Sequence, residues 1–182
     1  LIDASAPAPL SVLTFEDAQA QSFFGFEGAG DGPVNGNVWG SSELAADPQN
    51  AGNKVLKVTK AVDAQPWAGT TINPDAPIVF DAAHQGLSLR VYSDEADIPV
   101  VLKLEGAEVQ VEVQKTAAGW QELHFDFAGF IASDAHQVQL DTAYDAVSVF
   151  VNFHPGADAQ GNGHVYYLDD LKLIDASAPA PL

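Results

Sequence analysis

The stretch Gly86 to Gly106, GLSLRVYSDEADIPVVLKLEG, reads as two strands joined by an acidic turn. Leu87, Leu89 and Val91 alternate with Ser88, Arg90 and Tyr92, while Val100, Leu102 and Leu104 alternate with Val101, Lys103 and Glu105. Alternation of period two marks a half-buried strand. One face of the pair is apolar, and the expectation is that Arg90, Tyr92, Lys103 and Glu105 share the other. Charges in mid-strand are unusual where Thr, Ser or Gln would serve a purely structural sheet. A guanidinium fork, an ammonium, a carboxylate and a phenol on one sheet face suit a polyhydroxylated ligand such as a sugar. A solvated cluster of cross-strand ion pairs, worth roughly 0.2 to 1 kcal/mol per pair, is the alternative.

The chain of 182 residues, 47% of them hydrophobic, is long enough for one domain with its own core. Its 25 acidic and 7 basic residues give a net charge of -18. Such a surface repels nucleic acid and anionic membrane, and its carboxylates suit divalent cations. Cysteine is absent, which excludes a disulfide framework and a thiolate zinc site. No apolar run approaches the roughly 18 residues of a membrane span, so membrane insertion is not expected. With neither a signal peptide nor a methionine, the chain reads as excised from a longer protein.

The first ten residues, LIDASAPAPL, recur unchanged as Leu173 to Leu182. This identity points to a tandem array; a duplicated linker from cloning is the alternative. On the tandem reading, residues 1–10 are the end of a preceding repeat plus a Pro/Ala linker, 11–174 are the module, and 175–182 lead to the next repeat. Neighbouring copies of the module are therefore expected partners.

Strands are expected at Ser11 to Asp17, Asn53 to Lys60, Trp67 to Ile72 and Ile78 to Phe80 before the opening stretch. Glu108 to Gln114, Trp120 to Phe127, Ala143 to Phe153 and His164 to Ile174 follow it. Phe23 to Asn37 reads as loop with short extended pieces, and Val38 to Asp47 as a strand with a turn of helix. Roughly ten short strands with Gly/Pro/Asp-rich connections argue for an all-β antiparallel sandwich, a jelly roll; an up-and-down barrel is the alternative.

Several pieces taken in order resemble bacterial carbohydrate-binding modules of the galactose-binding-like jelly-roll group, in particular families 4, 16 and 22. They are LTFED (Leu13 to Asp17), AGNKVLKVTK (Ala51 to Lys60), WAGTTI (Trp67 to Ile72) and LRVYS (Leu89 to Ser93). LKLE (Leu102 to Glu105), GWQELHFDF (Gly119 to Phe127) and YYLDDLKL (Tyr166 to Leu173) complete the set. The resemblance implies a non-catalytic module, secreted or at the cell surface, that binds a polysaccharide, with a β-glucan such as laminarin favoured. A structural or adhesive repeat of a large surface protein is the alternative. It also implies a structural calcium held by Glu16, Asp17, Asn53 and Asp169, hard oxygen donors of the kind calcium takes. A solvated strand end is the other reading of Asp169 and Asp170.

An aromatic ring outside the core is a platform for the C–H face of a sugar. Trp67, after Pro66 in a strand of small residues, is the first choice, and Tyr92 the second. Trp120 is expected to pack at a strand edge, and Trp39 reads either way. Asn152 and His154 are further candidate ligand contacts. A catalytic reading finds little support. Glu122 and Asp126 share a strand face but lie roughly 13 Å apart along it, too far for the roughly 5.5 Å of a retaining glycosidase pair. Neither a Gly-x-Ser-x-Gly elbow nor a His-Glu-x-x-His helix occurs.

Overall fold

The computed structural model describes residues 7–17, 23–26, 41–60, 64–135, 137–153 and 163–177. Among these described residues thirteen strands and one short helix are formed, in the order β1 (Leu10–Leu13), β2 (Phe23–Phe26), β3 (Ser41–Asp47), β4 (Asn50–Thr59), β5 (Gly69–Ile72), β6 (Ile78–Val79) and β7 (Gly86–Ser93). β8 (Ile98–Leu104), β9 (Val109–Lys115), β10 (Gly119–Asp126), α1 (Ala128–Ala132), β11 (Ala143–Tyr144), β12 (Val147–Val151) and β13 (Val165–Ile174) follow. A first sheet runs β10-β7-β13-β4-β3 with β1 added beside β13, and a second runs β2-β5-β12-β8-β9. All these pairings are antiparallel. The inward residues of both sheets merge into one core, with Leu56, Leu89, Val91, Phe125 and Leu168 from the first and Ile72, Val100, Leu102, Val147 and Val149 from the second. This is the expected sandwich and not an up-and-down barrel. Within the expected segment Val38 to Asp47, Ser41–Asp47 is wholly strand.

One expectation is overturned. β7 and β8 do not pair with each other: β7 lies between β10 and β13 in the first sheet, and β8 between β12 and β9 in the second. The connection through Asp94 and Asp97, the latter at φ 58, carries the chain across the sandwich instead of turning back in a hairpin. Both strands bury their apolar set in the same core, so their outward residues point to opposite exterior faces. Arg90 and Tyr92 therefore belong to one face, and Lys103 and Glu105 to the other. Alternation fixes which side of a strand is buried, and it is silent on which neighbour completes the ladder.

β13 organises the first sheet. Its first half pairs with β4 from Val165 to Leu168, and its second half pairs with β1 from Leu171 to Leu173. Along its other edge it pairs with β7, with a register shift between Asp169 and Lys172. The bulge is written in the sequence as a break in alternation: Leu168, Leu171 and Leu173 all enter the core, although the first two are three residues apart. Asp170, at φ 50, absorbs the extra residue, and bulged strands bend and re-aim their side chains. Asp169 and Asp170 consequently stand together where β4 leaves β13 and β1 joins it.

β1 enters the fold beside the end of β13, with Leu10 opposite Leu173. His84 secures this entry. Its Nδ1 lies 3.1 Å from both carboxylate oxygens of Asp81 and its Nε2 lies 3.0 Å from the Ala8 carbonyl. Both partners are acceptors, so a neutral imidazole can satisfy only one and the imidazolium satisfies both. Burial pushes the His84 pKa down, but the Ala8 carbonyl and the Asp81 carboxylate together raise it above 6.5. The hydrogen bond from His84 lowers Asp81, against the effect of burial and with help from the amides of Ala83 and His84. The contribution of a raised histidine is full below its unfolded value and is lost as pH rises through the folded one; that of Asp81 is lost only in acid. We expect the melting temperature to fall as pH rises past about 6.5. In His84→Gln that part of the slope should vanish in thermal melts across the same range.

Candidate functional site

The first sheet's outer face holds a cleft of about 510 Å³ at the split beside β13. Phe15 is buried in the core at φ 62, a backbone region that costs a bulky residue energy, and it turns Glu16 out toward β4. There Glu16 Oε1 accepts from the Lys54 amide at 2.9 Å, and the Glu16 carbonyl accepts from Lys54 Nζ at 3.1 Å. Asp47, the last residue of β3, accepts on Oδ1 from the Gln49 amide at 2.7 Å and from Trp120 Nε1 at 3.0 Å. Asn53 Nδ2 donates to Asp47 Oδ2 at 3.2 Å and to Asp169 Oδ2 at 2.9 Å. Arg90 reaches Asp169 at 3.4 Å and Asp170 at 3.6 Å. Burial raises the Asp169 pKa against the opposing pull of Asn53; at Asp47 the hydrogen bonds outweigh burial and lower it.

The structure thus gathers Glu16, Asn53 and Asp169 around one cleft, while Asp17 is exposed and outside its lining. Asp47, absent from the sequence-based set, joins them. Among the described residues no three acidic or histidine side chains form a ready metal cage. The carboxylate oxygens of Asp47 and Asp169 instead accept from N–H groups.

On the same face Trp120, Tyr92 and Tyr167 stand in cross-strand register on β10, β7 and β13. Their ring centroids are 5.5 and 5.7 Å apart, edge to face. The Arg90 guanidinium lies 4.6 Å from the Trp120 ring centroid, a cation–π distance. A second cleft of about 390 Å³ is lined by Tyr92, Tyr167, Pro48 and Glu95.

The second sheet's outer face carries a polar chain. Thr71 and Ser148 hydroxyls meet at 2.7 Å, and Ser148 Oγ donates to Glu105 Oε1 at 2.5 Å. Lys103 binds Glu105 at 3.2 Å and Glu108 at 2.7 Å, the hydrogen bond to Glu108 being the first cause of its raised pKa. The Phe150 and Phe153 rings lie 5.9 Å apart at the far end of β12. Trp67 is 47% exposed on the turn before β5. That turn is pinned from within by Lys60, whose buried ammonium donates to the carbonyls of Pro66 at 3.0 Å, Asn152 at 2.8 Å and Val151 at 3.4 Å. The Asn152 side chain points inward, its Nδ2 donating to the Tyr166 hydroxyl at 3.2 Å, so it is part of this support rather than a surface contact. His154 lies outside the described residues.

No family model matches this chain, and no curated protein does. Solved structures do match. The family 11 carbohydrate-binding module of the cellulosomal cellulase Lic26A-Cel5E of Clostridium thermocellum aligns with 15% identity and TM-score 0.55, over 94% of this chain and 97% of that one. A family 30 carbohydrate-binding module aligns with 14% identity and TM-score 0.56, over 95% and 91%. A C. thermocellum family 11 module in complex with a β-1,3-1,4-mixed-linked tetrasaccharide aligns with 12% identity and TM-score 0.56, over 93% and 98%. The fold is that of the jelly-roll carbohydrate-binding modules. At these identities the likeness concerns fold, and any site has to be argued from this chain's own residues.

Tyr167 and Asp47 are not singled out by the sequence, and Trp120, expected to pack at a strand edge, does so on the edge strand β10 against Tyr92. The cross-strand register that aligns the rings depends on which strands pair, and that is not written in any one segment. Lys60 was equally hidden, since a lysine at a strand end ordinarily reads as solvated. Burial lowers its pKa to about 8. Lys60→Met removes the donor from three carbonyls and should cost about 1 to 3 kcal/mol, the scale of buried groups left unsatisfied. Chemical denaturation would measure the loss, and amide exchange should rise at Trp67 and Ala68; an unchanged midpoint would show that the clamp is not needed.

Proposed function

We propose that the chain is a non-catalytic carbohydrate-binding module whose primary polysaccharide site is the second sheet's outer face. The observation that carries this reading is Trp67, exposed on a turn that the buried Lys60 holds rigid. A large ring left in water on a preorganised support is disfavoured unless something packs on it, and stacking on a sugar face supplies that contact. Trp67, on the turn, precedes Thr71 of β5 by four residues, which leaves at most about 13 Å between them along the chain. At Thr71 the hydroxyl–carboxylate–ammonium chain ending in Lys103 begins. Lys103 and Glu105 thus offer donor and acceptor groups for sugar hydroxyls at a distance that favours an extended chain over a monosaccharide. The fold shared with a module in complex with a β-1,3-1,4-mixed-linked tetrasaccharide supports a neutral β-linked glycan, and a β-glucan such as laminarin is the ligand we propose. Trp67→Ala should melt as the wild type does and lose at least about tenfold in affinity for a β-glucan by calorimetry, about 1.4 kcal/mol. Wild-type affinity in both Trp67→Ala and Lys103→Ala would move the site elsewhere.

The reading extends to context. A secreted or cell-surface location agrees with a polysaccharide ligand. The repeated decapeptide supports a tandem array, and the pairing of Leu10 with Leu173 would place each module's entry beside its exit. If no glycan binds, a structural or adhesive repeat is the reading that the decapeptide favours.

We also propose a structural calcium at the split in the first sheet. Glu16, Asp47 and Asp169 carboxylates and the Asn53 amide are hard donors around one cleft, the kind calcium selects. Asn53 would hold the ion through its amide oxygen, turning away the NH2 that now joins Asp47 and Asp169. An ion bound only by the folded state raises the melting temperature by mass action. Millimolar calcium should raise it and excess chelator lower it. A melting curve indifferent to both would leave the N–H network as the sole holder of these acids.

A further inference from the structure

We propose that the first sheet's outer face is a second glycan-binding surface, built on the row Trp120–Tyr92–Tyr167 and selective for an uncharged, hydroxyl-rich chain. It lies on the opposite side of the sandwich from the Trp67 face, and it stands or falls separately from the site assigned there.

The row crosses three adjacent strands and continues in register through Lys57 on β4 to Glu43 on β3. Cross-strand aromatic pairs stabilise a sheet by themselves, so the rings alone do not define a site. Their polar tips are what set them apart. Trp120 Nε1 is held by Asp47, the Tyr92 hydroxyl donates to Asp94 at 2.9 Å, and Arg90 caps the indole while Asp169 and Asp170 fix its other side. Groups held in this way are preorganised, and binding need not pay to order them. The turn from Asp47 to Asn50 stands between the two clefts: Asp47, Gln49 and Asn50 line the larger and Pro48 lines the smaller. Aromatic rings therefore lie between two hollows of about 510 and 390 Å³, an arrangement that fits a chain laid across the strands.

Charge selects the chain. Asp170, which the calcium site leaves free of the ion, borders the larger cleft, and Asp94 and Glu95 border the smaller. Carboxylates accept from sugar hydroxyls and repel uronate or sulfate groups, so pectic and sulfated chains are excluded and neutral glucans or mannans are admitted. Two faces on one module would bridge two chains, or two segments of one, and gain avidity through effective concentration.

The test uses the whole chain and three probes: a mixed-linked β-glucan tetrasaccharide, a mannohexaose, and polygalacturonate as anionic control. Binding is followed by calorimetry and by backbone amide shifts. Tyr167→Ala, with its melting curve checked, should abolish the shifts on β7, β10 and β13 and leave those near Trp67; Tyr167→Phe, which keeps the ring, should restore them. Trp67→Ala should do the reverse. If neutral glycans shift only the Trp67 face and Tyr167→Ala changes nothing, the second surface is overturned and the first stands. If shifts persist only on the first sheet in Trp67→Ala and in the wild type, the second surface stands and the Trp67 site falls. Polygalacturonate binding on the first sheet, or no neutral glycan binding there, overturns the proposal.

Discussion

The bulge in β13 is the constraint on which the first sheet depends. β4 and β1 pair with successive halves of one edge of this ten-residue strand, and along its other edge the register against β7 shifts between Asp169 and Lys172, where one neighbour gives way to the other. Asp170, in the left-handed region, takes up the mismatch and lets Leu171 return to the interior. The cost is a pair of acids facing the same opening, one of them almost wholly buried. Arg90 and Asn53 answer that cost with a charge-assisted contact and a bridging amide, and Trp120 is then drawn over the cleft by its bond to Asp47. One irregularity in one strand thus positions the cleft, its electrostatics and the first ring of the aromatic row.

The sandwich itself could be read from alternation. Leu87-Leu89-Val91, Val100-Leu102-Leu104 and Leu123-Phe125-Phe127 name their buried sides without ambiguity, and all nine lie in the core. Alternation did not reveal the neighbours. The hairpin expected between β7 and β8 failed because Ser93 to Ile98 is as compatible with a crossing between sheets as with a return, and Val101, buried on the outward side of β8, gives no local sign of the strand's central place. The same ambiguity separates the residues expected on one face: Arg90 and Tyr92 lie on the first sheet, and Lys103 and Glu105 lie across the core on the second. The resemblance through LTFED and YYLDDLKL did bring Glu16 and Asp169 to one cleft, since those motifs are tied to β1 and β13, which do pair.

Charge gives the last step. All seven basic side chains are engaged within the fold. Lys57 pairs with Glu43, Arg90 with Asp169 and Asp170, Lys103 with Glu105 and Glu108, and Lys172 with Asp170. Lys54 donates to the Glu16 carbonyl, Lys60 to Pro66, Asn152 and Val151, and Lys115 to Ala117 and Glu95. A protein of net charge -18 with its cations so committed presents no basic patch to a phosphate, sulfate or uronate. Its recognition chemistry reduces to rings, hydroxyls, amides and carboxylate acceptors. On the binding roles proposed above, such groups would favour a ligand rich in hydroxyls and free of charge on either outer face.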